Sequence, residues 1–101
     1  MERQDYRVKL ATLILEELAV RSRPVKARFL KTYRLTCFWL GPETARYILS
    51  KLREGGYIHV DDKGRISLRV NMRTSKNLRK IIEETEKLVK ELYSRGQISL
   101  R

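Results

Sequence analysis

Apolar residues recur at helical spacing early in the chain, where Tyr6, Leu10, Leu13, Ile14 and Leu18 stand opposite Arg7, Lys9, Glu16 and Glu17. This periodicity predicts a helix from Asp5 to Val20 with one side on a core and the charged residues on the side opposite. Pro24 suits the first turn of a helix, where its missing N–H is not needed, so a short second helix is expected with Val25, Phe29, Leu30 and Tyr33 as its buried side. The segment Arg34 to Leu40 reads either as a long turn whose Leu35, Phe38 and Trp39 fill the core, or as an extension of one helix.

The stretch GPETARYILSKLREGGYI, Gly41 to Ile58, carries the clearest signal. Pro42 pre-sets helical φ and Glu43 suits the positive end of a helix. Ala45, Ile48, Leu49 and Leu52 then fall at i, i+3, i+4 and i+7, predicting a third helix from Pro42 to Glu54 that Gly55 and Gly56 stop. Tyr57 to Val60 is a short β-rich run, and DDKG suits a tight turn. From Arg65 to Val70, basic or polar residues alternate with Ile66, Leu68 and Val70, so a β-hairpin with one buried face is expected.

The last third differs in character. Thr74 or Ser75 can cap a helix from Lys76 to Arg95, with Gly96 as its stop. Leu78, Ile81, Thr85, Leu88 and Leu92 follow spacings of 3, 4, 3 and 4, a heptad seam that Ile82, Val89 and Tyr93 widen. Such a stripe pairs with its copy in a second subunit, through Leu78, Ile81, Ile82, Leu88, Val89 and Leu92, or folds back on the first helix, and it is wide enough to do both. The tail QISLR carries no pattern.

Three helices followed by a hairpin, with a Gly-Gly step into the first strand, resemble the winged helix-turn-helix transcription regulators of archaea and bacteria. The likeness rests on GPETARYILSKLREGGYI, with its small-Pro-x-Thr start, apolar ladder and L-x-x-x-G-x-I exit, and spans Asp5 to Val70. The link between the second and third helices reads as longer and more aromatic than the short turn usual in that family. The expected fold class is mostly α with a small β-hairpin (α+β). Residues 1–72 would form the winged helix-turn-helix domain and residues 73–101 a long helix and short tail. The resemblance to small archaeal winged-helix proteins with a helix after the wing implies a homodimer.

Charge sharpens this picture. The chain of 101 residues has a net charge of +11, and a surface so basic seeks polyanions, nucleic acid above all. Between Val20 and Arg53 nine basic residues face a single acid, Glu43. With the ladder of the third helix turned inward, its outward side offers Thr44, Arg46, Tyr47 and Ser50 to base edges, with Lys51 and Arg53 beside them for phosphates. Lys26, Arg28 and Arg34 surround the second helix as phosphate contacts, and Lys63 and Arg65 flank the hairpin tip. The expected partner is double-stranded DNA, and the expected place is the cytoplasm, associated with the nucleoid.

Other chemistries find little support. His59 is the single histidine, Cys37 the single cysteine, and neither metal-ligand spacing nor a Gly-rich phosphate loop occurs, so no catalysis and no cofactor are expected. Cys37, beside Phe38 and Trp39, reads as a buried thiol. The uncharged run near the start, Leu10 to Leu15, is too short to span a membrane. No small-molecule ligand is evident. A sequence-specific regulator is the leading reading. An architectural DNA binder, or a protein-interaction winged helix in a larger nucleic-acid-processing assembly, are the alternatives.

Overall fold

The computed structural model describes residues 4–95, which form helix α1 (Gln4–Arg21), strand β1 (Val25–Lys26), a 3-10 turn (Ala27–Phe29), helices α2 (Lys31–Leu40) and α3 (Pro42–Glu54), strands β2 (Ile58–Val60) and β3 (Arg65–Leu68), and helix α4 (Leu78–Ser94). It is an α+β fold, mostly helical with a small three-stranded antiparallel sheet in the order β1-β3-β2. Gly96 and the tail QISLR lie outside the described residues.

Helix α1 is the axis of the core. Tyr6, Leu10, Leu13, Ile14 and Leu18 are buried as their spacing predicts, but burial is continuous from Leu13 to Leu18. Because α2, α3, α4 and β3 all pack against it, α1 has no dry and wet side along that stretch. Glu16 and Glu17 are therefore buried, at 8% and 0% exposure, and the expectation that they lie opposite the core is overturned.

Each carboxylate is spent on a neighbouring element. Glu17 Oε2 accepts from the Lys31 amide at 2.9 Å and from Arg21 Nε at 2.7 Å, while Oε1 accepts from the Thr32 amide at 2.9 Å and the Thr32 hydroxyl at 2.8 Å. Helix α2 thus begins where α1 supplies an acceptor for its first free N–H groups. Its own flanking residue, Leu30, has no side chain able to cap it. Glu16 accepts from Lys76 Nζ at 3.1 Å and from the Thr74 hydroxyl at 3.3 Å, and Lys76 also reaches Glu84 at 2.8 Å, which ties the approach to α4 onto α1. Glu84 and Glu16 together hold the Lys76 ammonium above its ordinary pKa.

This tertiary cap explains why the second helix starts later than Pro24 predicts. Pro24 instead leads into β1, because φ near −65° serves the start of a strand as well as that of a helix. Val25 pairs with Ile66 and Lys26 with Arg65, giving the hairpin a third strand. Arg34 to Leu40 is helical, the second of the two readings that the segment allows, so the link to α3 is one residue and not a long turn. Gly41, at φ 99°, turns the chain directly from α2 into α3, a conformation that a side chain would strain. The Thr44 hydroxyl stitches the joint by donating to the Leu40 carbonyl at 3.1 Å. Phe29, expected on the buried side of the second helix, is 56% exposed, and Phe38, a core residue only in the long-turn reading, is 80% exposed; Leu30 is buried as its spacing predicts, and Leu40 with it.

Helix α4 starts at Leu78 rather than Lys76, capped by Asn77, whose Oδ1 accepts from the Lys80 amide at 2.8 Å. It packs on α2 and α1. Ile81, Val89 and Leu92 are buried within the chain itself, so these three do not form a free dimerisation seam; their stripe is the lid of this chain's own core. Thr85 is fully buried with its hydroxyl bonded to the Ile81 carbonyl, and Leu78, Ile82 and Leu88 are half-buried.

Replacing Glu17 by Ala strands several buried donors and the partly buried Arg21, so a loss of about 3 kcal/mol is expected in urea unfolding. Glu83→Ala, on the exposed side of α4, is expected to stay within about 0.5 kcal/mol. A loss below about 1 kcal/mol for Glu17→Ala would contradict the cap's role.

Candidate nucleic-acid interface

The ladder of α3 turns inward as its spacing predicts: Ala45, Ile48 and Leu52 are buried and Leu49 is half-buried. Arg46, Tyr47, Ser50, Lys51 and Arg53 are exposed on the opposite side. Thr44 is not among them. Only 7% exposed and hydrogen-bonded to Leu40, it belongs to the α2–α3 joint, and its expected role as a base reader is overturned.

The exposed side divides in two. Arg46, Ser50 and Arg53, at i, i+4 and i+7, line a cleft of about 360 Å³ whose other wall is the hairpin, with Val60, Gly64 and Ile66, and whose end is Ala27. Tyr47 and Lys51, one residue further round, face α1 instead. The Arg7 guanidinium lies 4.9 Å from the Tyr47 ring centroid and Lys51 Nζ lies 5.6 Å from it, so the ring contacts two cations. Arg7 was not expected at this surface; only the folding of α1 against α3 brings it there.

Cations continue from α3 across the turn that precedes α2. Lys26, Arg28, Lys31 and Arg34 are all exposed. The first N–H groups of α2, which elsewhere suit a phosphate, are occupied by Glu17, so anion contacts here fall to side chains. Burial pushes the Cys37 thiol up and raises the Tyr33 phenol likewise. Cys37 is half-buried rather than enclosed.

The hairpin tip is internally braced. Asp61 Oδ1 accepts from the Lys63 amide at 2.9 Å and the Arg65 amide at 2.8 Å, while Oδ2 accepts from Arg65 Nε at 2.9 Å. Gly64, at φ 82°, closes the turn. Arg65 is thereby directed at its own turn, and Lys63 is the exposed cation at the tip. His59 is exposed on β2, across from Ser67. Among the described residues no cluster of three or more His, Cys, Asp or Glu is able to hold a metal ion, and no helix is long and apolar enough to cross a membrane.

The bonds from Arg65 and Lys63 hold the Asp61 carboxyl below its ordinary pKa, the Arg65 amide foremost. A lowered folded value means that the bracing is present above the unfolded pKa of about 3.9 and is lost as pH falls through the folded value. In an NMR titration the Lys63 and Arg65 amides should therefore shift together with a midpoint below about 3.9, and Asp61→Asn should abolish the step. A midpoint at or above that value would contradict the bracing.

Among known proteins, no family model, no curated sequence and no solved structure matches this chain, so the surface stands on its own geometry.

Proposed function

We propose that the chain binds double-stranded DNA as a winged helix-turn-helix protein, with α3 in the major groove, and that it acts as a sequence-specific transcription regulator. The observation that carries this reading is the stripe Arg46, Ser50 and Arg53, exposed on a helix whose opposite side is locked into the core and which stands beside a β-hairpin. Three helices followed by a hairpin support it. So does the concentration of nine basic residues against one acid between Val20 and Arg53.

Within this reading Arg46 donates to a base edge, most readily the O6 and N7 of guanine, and Ser50 bonds a base or a phosphate. Tyr47, braced by Arg7 and Lys51, packs against the groove wall. Lys26, Arg28, Arg34, Lys51 and Arg53 neutralise phosphates, and Lys63 reaches the backbone from the hairpin tip.

The reading also has the chain work as a pair. With Ile81, Val89 and Leu92 buried, the apolar surface left for a second copy is Leu78, Ile82 and Leu88 on α4, and the aromatic group Phe38, Trp39 and Tyr93. In that group the rings stack edge to face at 5.5 and 5.4 Å, and Phe38 is 80% exposed. The charges on the same part of α4 are already matched, Lys90 with Glu86 at 3.3 Å and Arg95 with Glu91 at 2.8 Å, so two basic chains meet there with little repulsion.

Arg46→Ala is expected to cost on the order of 1 to 3 kcal/mol on the preferred site and to relax the preference at one base pair. Lys26→Ala is expected to weaken all duplexes about equally and to reduce the log–log salt slope by about one. Fluorescence anisotropy on cognate and scrambled duplexes at several salt concentrations reads both. Equal, sequence-independent losses from the two variants favour the architectural reading instead.

A further inference from the structure

Beside β1, on the other side of the turn from the α3–hairpin cleft, lies a hollow of about 530 Å³ lined by Arg21, Arg23, Lys26, Phe29 and Arg65. This is within the range of roughly 300 to 1,000 Å³ typical of small-ligand sites. No acidic residue lines it. Two of its cations are already engaged, Arg21 by Glu17 and Arg65 by Asp61. Arg23 and Lys26 have no ion-pair partner among the described residues, and both are exposed. Phe29 shows 56% of its surface, with the Arg28 guanidinium 5.1 Å from its ring centroid.

An exposed phenyl ring amid unmatched cations narrows what can cover it. An apolar protein surface seated on Phe29 would have to desolvate Arg23 and Lys26 without a counter-charge, which is costly. A nucleotide brings a flat π face and a phosphate together, matching ring and cations at once. A base still paired in a duplex has both its faces stacked and cannot lie on the ring; an unpaired one can.

Position points the same way. Ala27 lines the α3–hairpin cleft while its neighbours Lys26 and Phe29 line the hollow. A strand that leaves the cleft past Ala27 therefore arrives at the ring. β1 is the edge of the sheet, with no further strand beyond it among the described residues.

We propose that this hollow takes an unpaired nucleotide of a DNA strand whose duplex part lies on α3, with the base stacked on Phe29 and its phosphate between Arg23 and Lys26. The proposal rests on the DNA-binding reading above and adds a substrate class to it: duplex that carries a frayed, flipped or single-stranded nucleotide at the edge of the site.

The test uses the full chain and two probes of the same duplex sequence, one blunt and one ending in a three-nucleotide unpaired tail with 2-aminopurine at its first position. Wild-type protein should bind the tailed probe on the order of fivefold tighter or more, and the 2-aminopurine emission should change on binding. Phe29→Ala should lose both effects and keep its affinity for the blunt duplex, Phe29→Tyr should retain them, and thermal unfolding checks that both variants are folded. Equal binding of the two probes by wild-type protein, or an equal loss on both probes in Phe29→Ala, overturns the proposal while leaving duplex binding standing. Binding of neither probe overturns the DNA-binding reading as well.

Discussion

The position of every surface element that matters follows from one buried carboxylate. Glu17 is fully enclosed and is stable there because three donors from Lys31 and Thr32 and the adjacent Arg21 charge surround it. Two of those donors are the first amides of α2, so the carboxylate sets where α2 begins. Helix α2 is joined to α3 by Gly41 alone, with the Thr44 hydroxyl closing the joint, so the start of α2 in turn fixes how α3 stands. Glu16, one residue earlier, does for the approach to α4 what Glu17 does for α2. Two adjacent acids on α1 thus orient three helices, and the side chains exposed on α3 stay in register with the hairpin because the joint behind them has little freedom.

The same arrangement explains what was legible in the residue pattern. Helices α1 and α3, the hairpin and α4 carry their own periodicity and stop signals, and their bounds fall within a few residues of those expected. β1 and the start of α2 carry none. A two-residue strand has no periodicity to read, Pro24 fits either element, and the cap of α2 comes from a residue fourteen positions earlier in the chain. Glu16 and Glu17 read as lying opposite the core because isolated charge on a helix normally does; only the packing of α2 and α4 around α1 shows that they are internal acceptors.

For the candidate interface, the exposed residues of α3 were legible from the inward ladder, except Thr44. Its small hydroxyl is drawn to the free carbonyl at the end of α2, and that carbonyl is visible only once the joint is known to be one residue long. Phe29 and Phe38 were misplaced for a related reason. With the helix running from Lys31 to Leu40, Thr32, Thr36 and Leu40 join Leu30 in the buried positions and both phenylalanines are left outside. The α4 stripe was read correctly as apolar, yet a stripe does not say what it covers, and here most of it covers the chain's own core.

The basic surface that results runs from the α3–hairpin cleft across Ala27 to the segment before α2, with the aromatic group Phe38, Trp39 and Tyr93 and the charge-matched side of α4 standing apart from it. If α3 reads duplex sequence on behalf of a symmetric pair, selection of bound duplexes from a random pool at near-physiological salt should enrich a palindromic site with half-sites about one helical turn apart, some 34 to 36 Å. A pool that stays random after repeated rounds would contradict that reading.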